Sequence, residues 1–294
     1  MDDVADSRFP EASRGVLYVV GTPIGNLEDI TLRALRTLEE VDLIAAEDTR
    51  NTRRLLTRHG INRPLTALHE HNEDRRAAEL ISKLDQGAAM ALVSDAGTPT
   101  LSDPGYRLIK DAAAAGIRVV PIPGPSAAVA ALSVSGLPTD AFLFLGFPPR
   151  KRGKRLTFLH RAAEDKRTLI FYESPKRMAD LLADLQEIMG ERRAVLAREM
   201  TKAYEEFIRG SLNEIALEVK KRRGLKGECT LLVAGGGEAL DEDQWPAARR
   251  ALRQGLASQE QPLAELVRQV ADQSGIARNK IYAEALRIKQ ELES

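Results

Sequence analysis

Two adjacent carboxylates, Glu47 and Asp48, close the apolar run VDLIAA and lead directly into TRNTRRLLTR, which carries Arg50, Arg53, Arg54 and Arg58. A carboxylate beside a hydroxyl can accept its proton as the oxygen attacks an electrophile, and a nearby cation can stabilise the charge that develops. Glu47 and Asp48 are therefore the candidate catalytic pair, with Glu173, Arg198, Glu199 and Lys202, in FYESPKR and REMTK, as further candidates. A plainer role is equally available, because Asp48 or Thr49 suits the N-cap of a helix beginning there. His69 and His71 in HEHNE sit two residues apart with no third ligand, so no metal site is expected.

Three other runs place glycine, proline and small residues after an apolar segment: VVGTPIGN at 19–26, VSDAGTPTLSDPG at 93–105 and PIPGPSAA at 121–128. The first is a stiff turn without the GxGxxG fingerprint or a Walker lysine. In the second, Asp95 can pair with an ammonium, and the amides of Ser102–Gly105 can hold a carboxylate at a helix start; an ordinary capped turn fits as well. The third delivers Ser126 and Ala127 at another helix start, or simply links two domains. Singly these are connections, but at neighbouring strand ends they form a cleft that holds a bulky zwitterion by its backbone.

Basic clusters occur at Arg50, Arg53, Arg54 and Arg58, at Arg150, Lys151, Arg152, Lys154 and Arg155, and at Lys220–Arg223. Each can neutralise phosphates or form a solvated face. The middle cluster, in PPRKRGKR, reads as a flexible loop that orders on RNA.

The elements that must position these residues follow from pattern. Residues 1–14 are polar and aperiodic and read as a disordered tail. From 15 to 124, VLYVVG, VDLIAAED, ALVSD and IRVVPIPG alternate with helical stretches, which predicts a parallel sheet with crossover helices. The helix after VSDAGTPT is expected to start at Ser102 or Asp103, with Pro104 in its first turn and Gly116 past its end. Residues 125–236 begin with an Ala-rich helix expected to be buried and continue through FLFLGFPP, TLIFYES, RAVLARE, EEFIRGS and ECTLLVAGG. Helices near 174–189 and 212–222 intervene, which predicts a mixed-sheet lobe. A Gly-rich, then acidic linker spans 237–246, and residues 247–294 form a helical, helix-turn-helix-like domain with a turn at Gly275.

Composition narrows the class. Of 294 residues 43% are hydrophobic and 29% charged, a globular balance. The 43 Lys and Arg match the 43 Asp and Glu, so RNA contact must come from local clusters. One cysteine, Cys229, excludes an internal disulfide. The absence of an apolar leader or a long apolar run argues against secretion and against the membrane and suits the cytoplasm.

Taken in order, VVGTPIGNLEDITLRAL, AAEDTR, HEHNE, VSDAGTPTLSDPG, IPGPSA, FYESPKR, REMTK and GECTLLVAG resemble the signature runs of the tetrapyrrole-methylase superfamily's ribosomal RNA branch, over residues 15–236. AAEDTR and HEHNE favour that branch over the porphyrin enzymes, whose second loop reads like Gly-Asp-Pro where this chain has Ser94, Asp95 and Ala96. The resemblance implies two α/β lobes, a parallel-sheet N lobe and a mixed-sheet C lobe, plus the small C-terminal helical domain. It implies S-adenosylmethionine between the lobes against Pro23, Ser94, Asp95, Ala96, Leu101, Ser126 and Ala127, with Glu173, Thr201 and Thr230 closing the second side. The implied reaction is methylation of a cytidine ribose 2′-hydroxyl in small-subunit ribosomal RNA, presented free or in the assembled subunit. A homodimer is implied too, with the apolar helices at 127–132 and 181–188 as interface candidates. Two other readings are a methylase of a tetrapyrrole or other small molecule, and a non-catalytic helix-turn-helix protein that binds RNA or the ribosome.

Overall fold

The computed structural model describes residues 15–70, 72–222, 224–236, 241–258, 262–274, 276 and 278–293. The expectations for the 1–14 tail, His71, Arg223, linker residues 237–240 and the Gly275 turn lie outside them. The chain forms two compact units: one runs to Ala131 and takes in Glu199–Glu206, the other comprises Leu132–Arg198 and resumes at Phe207.

The first unit is a βα alternation: β1 (Val16–Val20), α1 (Leu32–Glu40), β2 (Leu43–Ala46), α2 (Thr49–Arg58), β3 (Leu65–Ala67), α3 (Glu73–Asp85), β4 (Ala89–Val93), α4 (Tyr106–Ala114) and β5 (Arg118–Ile122). Its five strands lie in the order β3-β2-β4-β1-β5, and the pairings are parallel, with Val16 opposite both Ala89 and Arg118. Two-residue alternation splits the apolar strand residues between the faces. Tyr18, Val20, Ile44, Ala46 and Val93 pack under α1 and α2 through Ala34, Leu38, Leu55 and Leu56. Leu17, Ala45, Met90 and Leu92 pack under α3 and α4 through Ala77, Leu80, Leu84, Leu108 and Ala112. Each fully buried leucine here contributes about 1.5–3 kcal/mol.

Helix starts follow local chemistry. Thr31 accepts from the Ala34 amide to cap α1, and Asp48 accepts from the Arg50 amide to cap α2. At α4 the expected start is corrected. The helix begins at Tyr106 behind Gly105 at φ 113°, because Thr100 and Ser102 take left-handed conformations and keep the preceding residues a loop. β3 is an addition: LTA is too short and too neutral to announce itself.

The second unit holds β6 (Phe142–Gly146), α6 (Arg152–Ala163), β7 (Thr168–Glu173), α7 (Pro175–Met189), β8 (Arg193–Arg198), β9 (Glu206–Ser211), α8 (Leu212–Lys221) and β10 (Cys229–Val233). Its strand order is β6-β7-β10-β8-β9, with β6 parallel to β7 and β10 antiparallel to both β7 and β8. The mixed sheet is as expected. One core gathers Leu159, Leu169, Phe171, Leu181, Leu185, Leu196, Ile215 and Leu231. Leu181, Leu182 and Leu185 are wholly inside it, so these leucines of the 181–188 stretch are spent within their own unit, while Ile188 is half-buried. α5 (Ala127–Ser133) buries Ala128, Ala131 and Leu132 but leaves Val129 54% exposed, so its expected burial holds for one face only.

Two readings near the basic loop and the linker are also corrected. Arg152, Gly153, Lys154 and Arg155 form the first turn of α6 and are not a flexible loop. α9 (Asp241–Ser258) begins inside the expected linker; with α10 (Leu263–Ser274) and α11 (Arg278–Glu293) it encloses a separate core of Leu252, Leu266, Val270, Ile281, Ala285 and Ile288. Among the described residues no helix is long and apolar enough to cross a membrane.

Candidate functional site

The three small-residue loops of the first unit meet at the carboxyl ends of β1, β4 and β5. The Thr22 amide donates to the Gly97 carbonyl at 2.9 Å and the Gly97 amide returns a bond to Thr22 at 3.1 Å. The Thr22 hydroxyl lies 3.2 Å from the Ser94 carbonyl, and the Thr98 hydroxyl reaches the Pro125 carbonyl at 3.4 Å. Gly21 and Gly124 touch backbone to backbone, so a Cβ on Gly21 would stand 2.8 Å from Gly124 Cα. Such closeness excludes any side chain at either position.

Around this junction the expected binding residues divide. Asp95, Ala96 and Leu101 are exposed and Ser126 and Ala127 half-buried, whereas Pro23 and Ser94 are buried beneath them. Thr201 belongs to the same unit through the Glu199–Glu206 segment, and its hydroxyl accepts from the Asn26 amide at 3.0 Å. Glu199 and Thr201 have φ of 50° and 66°, a conformation costing on the order of 1–3 kcal/mol per residue and found where geometry is fixed for use. Lys202 pairs with Glu199 at 2.9 Å.

The carboxylates beside the loops are interlocked. Asp95 Oδ1 accepts from the Asp48 amide at 3.1 Å, Asp95 Oδ2 accepts from Asn51 Nδ2 at 2.8 Å, and the Asp95 amide donates to Glu47 Oε2 at 3.3 Å. Burial raises the Glu47 carboxyl above its usual range, with Asp95 and Asp48 adding to the effect. Asp48 goes the other way: it caps α2, and Arg50, 2.6 Å away, holds it near 2. Asp103 is pushed up to about 6, first by burial and then by Glu47, against a stabilising hydrogen bond from Ser94.

Asn51 and Asp103 were not singled out from sequence as site residues. Asn51 is one helical turn past the Asp48 cap, which is the available signal; nothing local marks Asp103. Of the Ser102–Gly105 amides expected to receive a ligand carboxylate, that of Gly105 is already taken: Glu73 of α3 accepts from Gly105 and Arg107 at 3.1 and 2.9 Å. His69 donates its amide to Asn72 Oδ1, and among the described residues no group of three or more His, Cys, Asp or Glu is arranged to hold a metal.

The basic clusters separate sharply. Arg50, Arg53, Arg54 and Arg58 line one exposed face of α2 with Thr49 and Thr57, at the three- and four-residue spacing of a helical stripe. In the α6 cluster Arg150, Lys151 and Lys154 are exposed, while Arg152 pairs with Asp184 at 3.0 Å and Glu187 at 2.8 Å. Arg155 must be removed from the RNA set: it is buried and its guanidinium lies 2.7 Å from the buried Asp184. Lys221 and Arg222 both approach Glu218. In the C-terminal helices Arg249 and Arg287 share Glu284, and Arg253 and Arg287 share Glu291. That neutralisation weakens a groove-reading role.

Within the second unit, Glu173 is buried at the end of β7, accepting from the Ser174 amide at 2.7 Å with Arg177 3.0 Å from its other oxygen. Thr230 is buried in β10 opposite Tyr172 and Ala197. Both unit-2 residues expected at the cofactor are therefore buried at or near strand ends of the second sheet.

Comparison with known proteins adds three findings. Residues 16–216 match the family of Tetrapyrrole (Corrin/Porphyrin) Methylases. The chain is 49% identical to Ribosomal RNA small subunit methyltransferase I of Haemophilus influenzae, over 91% of this chain and 95% of that protein. It is 46% identical to the protein of the same name from Halalkalibacterium halodurans, over 92% and 94%. Among solved structures it resembles diphthine synthase, with TM-score 0.58 and 15% identity over 75% of this chain and 90% of that one. It also resembles uroporphyrin-III-C-methyltransferase from Thermus thermophilus, with TM-score 0.53 and 22% identity over 75% and 94%. At such identity the structural likeness concerns the fold alone.

Proposed function

This chain belongs to the tetrapyrrole methylase family, together with the ribosomal RNA small subunit methyltransferases I, and from that premise we propose that it is a cytoplasmic S-adenosylmethionine-dependent methylase of small-subunit ribosomal RNA, acting on the 2′-hydroxyl of a cytidine. The observation that carries the reading is the stitching of the loops at Gly21–Asn26, Ser94–Gly105 and Gly124–Ala127 into one small-residue surface. Such a surface fits an extended zwitterion, because Gly21 and Gly124 admit no side chain and Asp95, Ala96 and Leu101 stand exposed beside them. When bound, the cofactor supplies the methyl group as a sulfonium.

The residues of this chain do the rest. Glu47 is the general base: its carboxyl is raised by burial and held by the Asp95 amide, so it takes the hydroxyl proton more readily than Asp48, which Arg50 keeps anionic and weakly basic. Orientation of the oxygen supplies much of the rate, since the leaving group is neutral. The Arg50, Arg53, Arg54 and Arg58 stripe holds the RNA backbone, which favours RNA over a small tetrapyrrole acceptor. On the second unit, Lys151 and Lys154 offer a separate exposed set of cations for phosphate, and Arg152 keeps partial exposure.

The test is transfer of labelled methyl to small ribosomal subunits lacking the modification. Label in an alkali-resistant linkage at one cytidine is expected. Label in a base, in protein, or nowhere overturns the reading.

A further inference from the structure

An open pocket of about 590 Å³ is lined by residues of the second unit: Phe147, Pro148, Pro149, Arg150, Glu173, Ser174 and Arg177. Phe147 is 56% exposed and yet held in place, its partner Tyr172 meeting its ring edge-on at 5.7 Å and meeting Phe144 at 4.9 Å. The loop carrying Phe147 is braced from beneath. Arg177 donates to the Pro148 carbonyl at 2.9 Å and the Pro149 carbonyl at 3.3 Å, and is itself anchored by the buried Glu173 at 3.0 Å.

A rigid, water-facing aromatic face flanked by prolines and cations has the chemistry of a stacking platform. Every nucleobase offers a π-face to it, and the adjoining phosphate finds Arg150, Lys151 and Lys154, all exposed. We propose that this cavity binds one unstacked nucleotide of the acceptor RNA, its base on Phe147 and its phosphate on Arg150. Glu173 and Arg177 are positioning residues that hold the platform. The inference rests on the RNA reading above and names a subsite for it.

The test combines kinetics and binding on the full chain. Stacking of one base is worth about 1–3 kcal/mol, so Phe147→Ala is expected to raise KM for small subunits by roughly 5- to 150-fold while affinity for S-adenosylmethionine, measured by calorimetry, stays at the wild-type value. Phe147→Tyr is expected to restore KM, since it keeps the ring. Arg150→Ala, at an exposed position, is expected to raise KM and serves as the second variant should Phe147→Ala fold poorly. Wild-type KM in both variants, or loss of cofactor affinity in Phe147→Ala, overturns the proposal. Anisotropy of a labelled single-stranded oligonucleotide reads the platform without any methyl transfer. A wild-type protein that transfers nothing yet binds that strand through Phe147 sinks the methylase reading and leaves the subsite standing; equal binding by wild type and Phe147→Ala sinks the subsite.

Discussion

Replacing Asp103 by Asn removes a charge while keeping the shape and the Ser94 contact, and so isolates what burial of that carboxylate costs. Asp103 is raised from the usual 3.8 to about 6, chiefly by burial and then by the neighbouring Glu47. A rise of this size corresponds to about 3 kcal/mol, and partial access of water to the side chain reduces it to about 1–1.5 kcal/mol. The folded protein holds this proton more tightly than the unfolded chain, so protonation favours folding. That contribution is complete below 3.8 and is lost as pH rises through 6, beyond which the ionised group is a standing cost. Asp103→Asn is therefore expected to match wild type near pH 4 and to exceed it by about 1 kcal/mol at pH 8, with the gain appearing between the two values. Urea denaturation at a series of pH values measures it. A difference that is constant with pH, or that grows toward acid, refutes the reasoning.

Other outcomes follow from the same geometry. Asp184→Ala strands the buried Arg155 guanidinium and is expected to cost about 3–5 kcal/mol in urea unfolding, whereas Arg155→Met with Asp184→Leu recovers most of it. Replacing Arg53, Arg54 and Arg58 together by Ala is expected to weaken RNA binding and to flatten its salt dependence, the slope of log K against log salt falling by about 2 for single-stranded contacts; cofactor affinity should not change. Gly21→Ala forces a Cβ to 2.8 Å from Gly124 Cα and is expected to cost about 1–3 kcal/mol in thermal or urea unfolding and to lower S-adenosylmethionine affinity in calorimetry, while Gly60→Ala, which meets nothing, costs only its left-handed strain.

Much of the fold was legible because strand and helix periods are local. VLYVVG, VDLIAAED and ALVSD announce themselves as strands of a parallel sheet, and their order of alternation sets the class. The helix over Tyr106–Ala114 was misplaced at its start because its cap comes from Glu73, thirty-odd residues earlier in the chain and invisible to a local reading. Arg155 failed for the same reason: in PPRKRGKR it looks like its neighbours, and only the fold brings Asp184 to it. Asp48 shows the converse, since capping and chemistry demand the same residue type and the structure assigns it to the cap. The loops at Gly21, Ser94 and Gly124 were recognisable as special by composition, but their convergence depends on β1 lying between β4 and β5, which no stretch of sequence states.

The excursion of Glu199–Glu206 into the first unit has a consequence for how the chain comes off the ribosome. The strand-end surface is not whole when residue 131 has been made: the Asn26 amide still lacks the Thr201 hydroxyl, and Gly25 lacks the Lys202 side chain that packs on it. Nearly seventy residues of the second unit are translated before those partners emerge, so these contacts of the amino-terminal unit form only after its neighbour's sequence has passed. A fragment ending at Ala131 thus lacks part of the first unit, and dividing the gene at the apparent domain border separates that unit from part of itself.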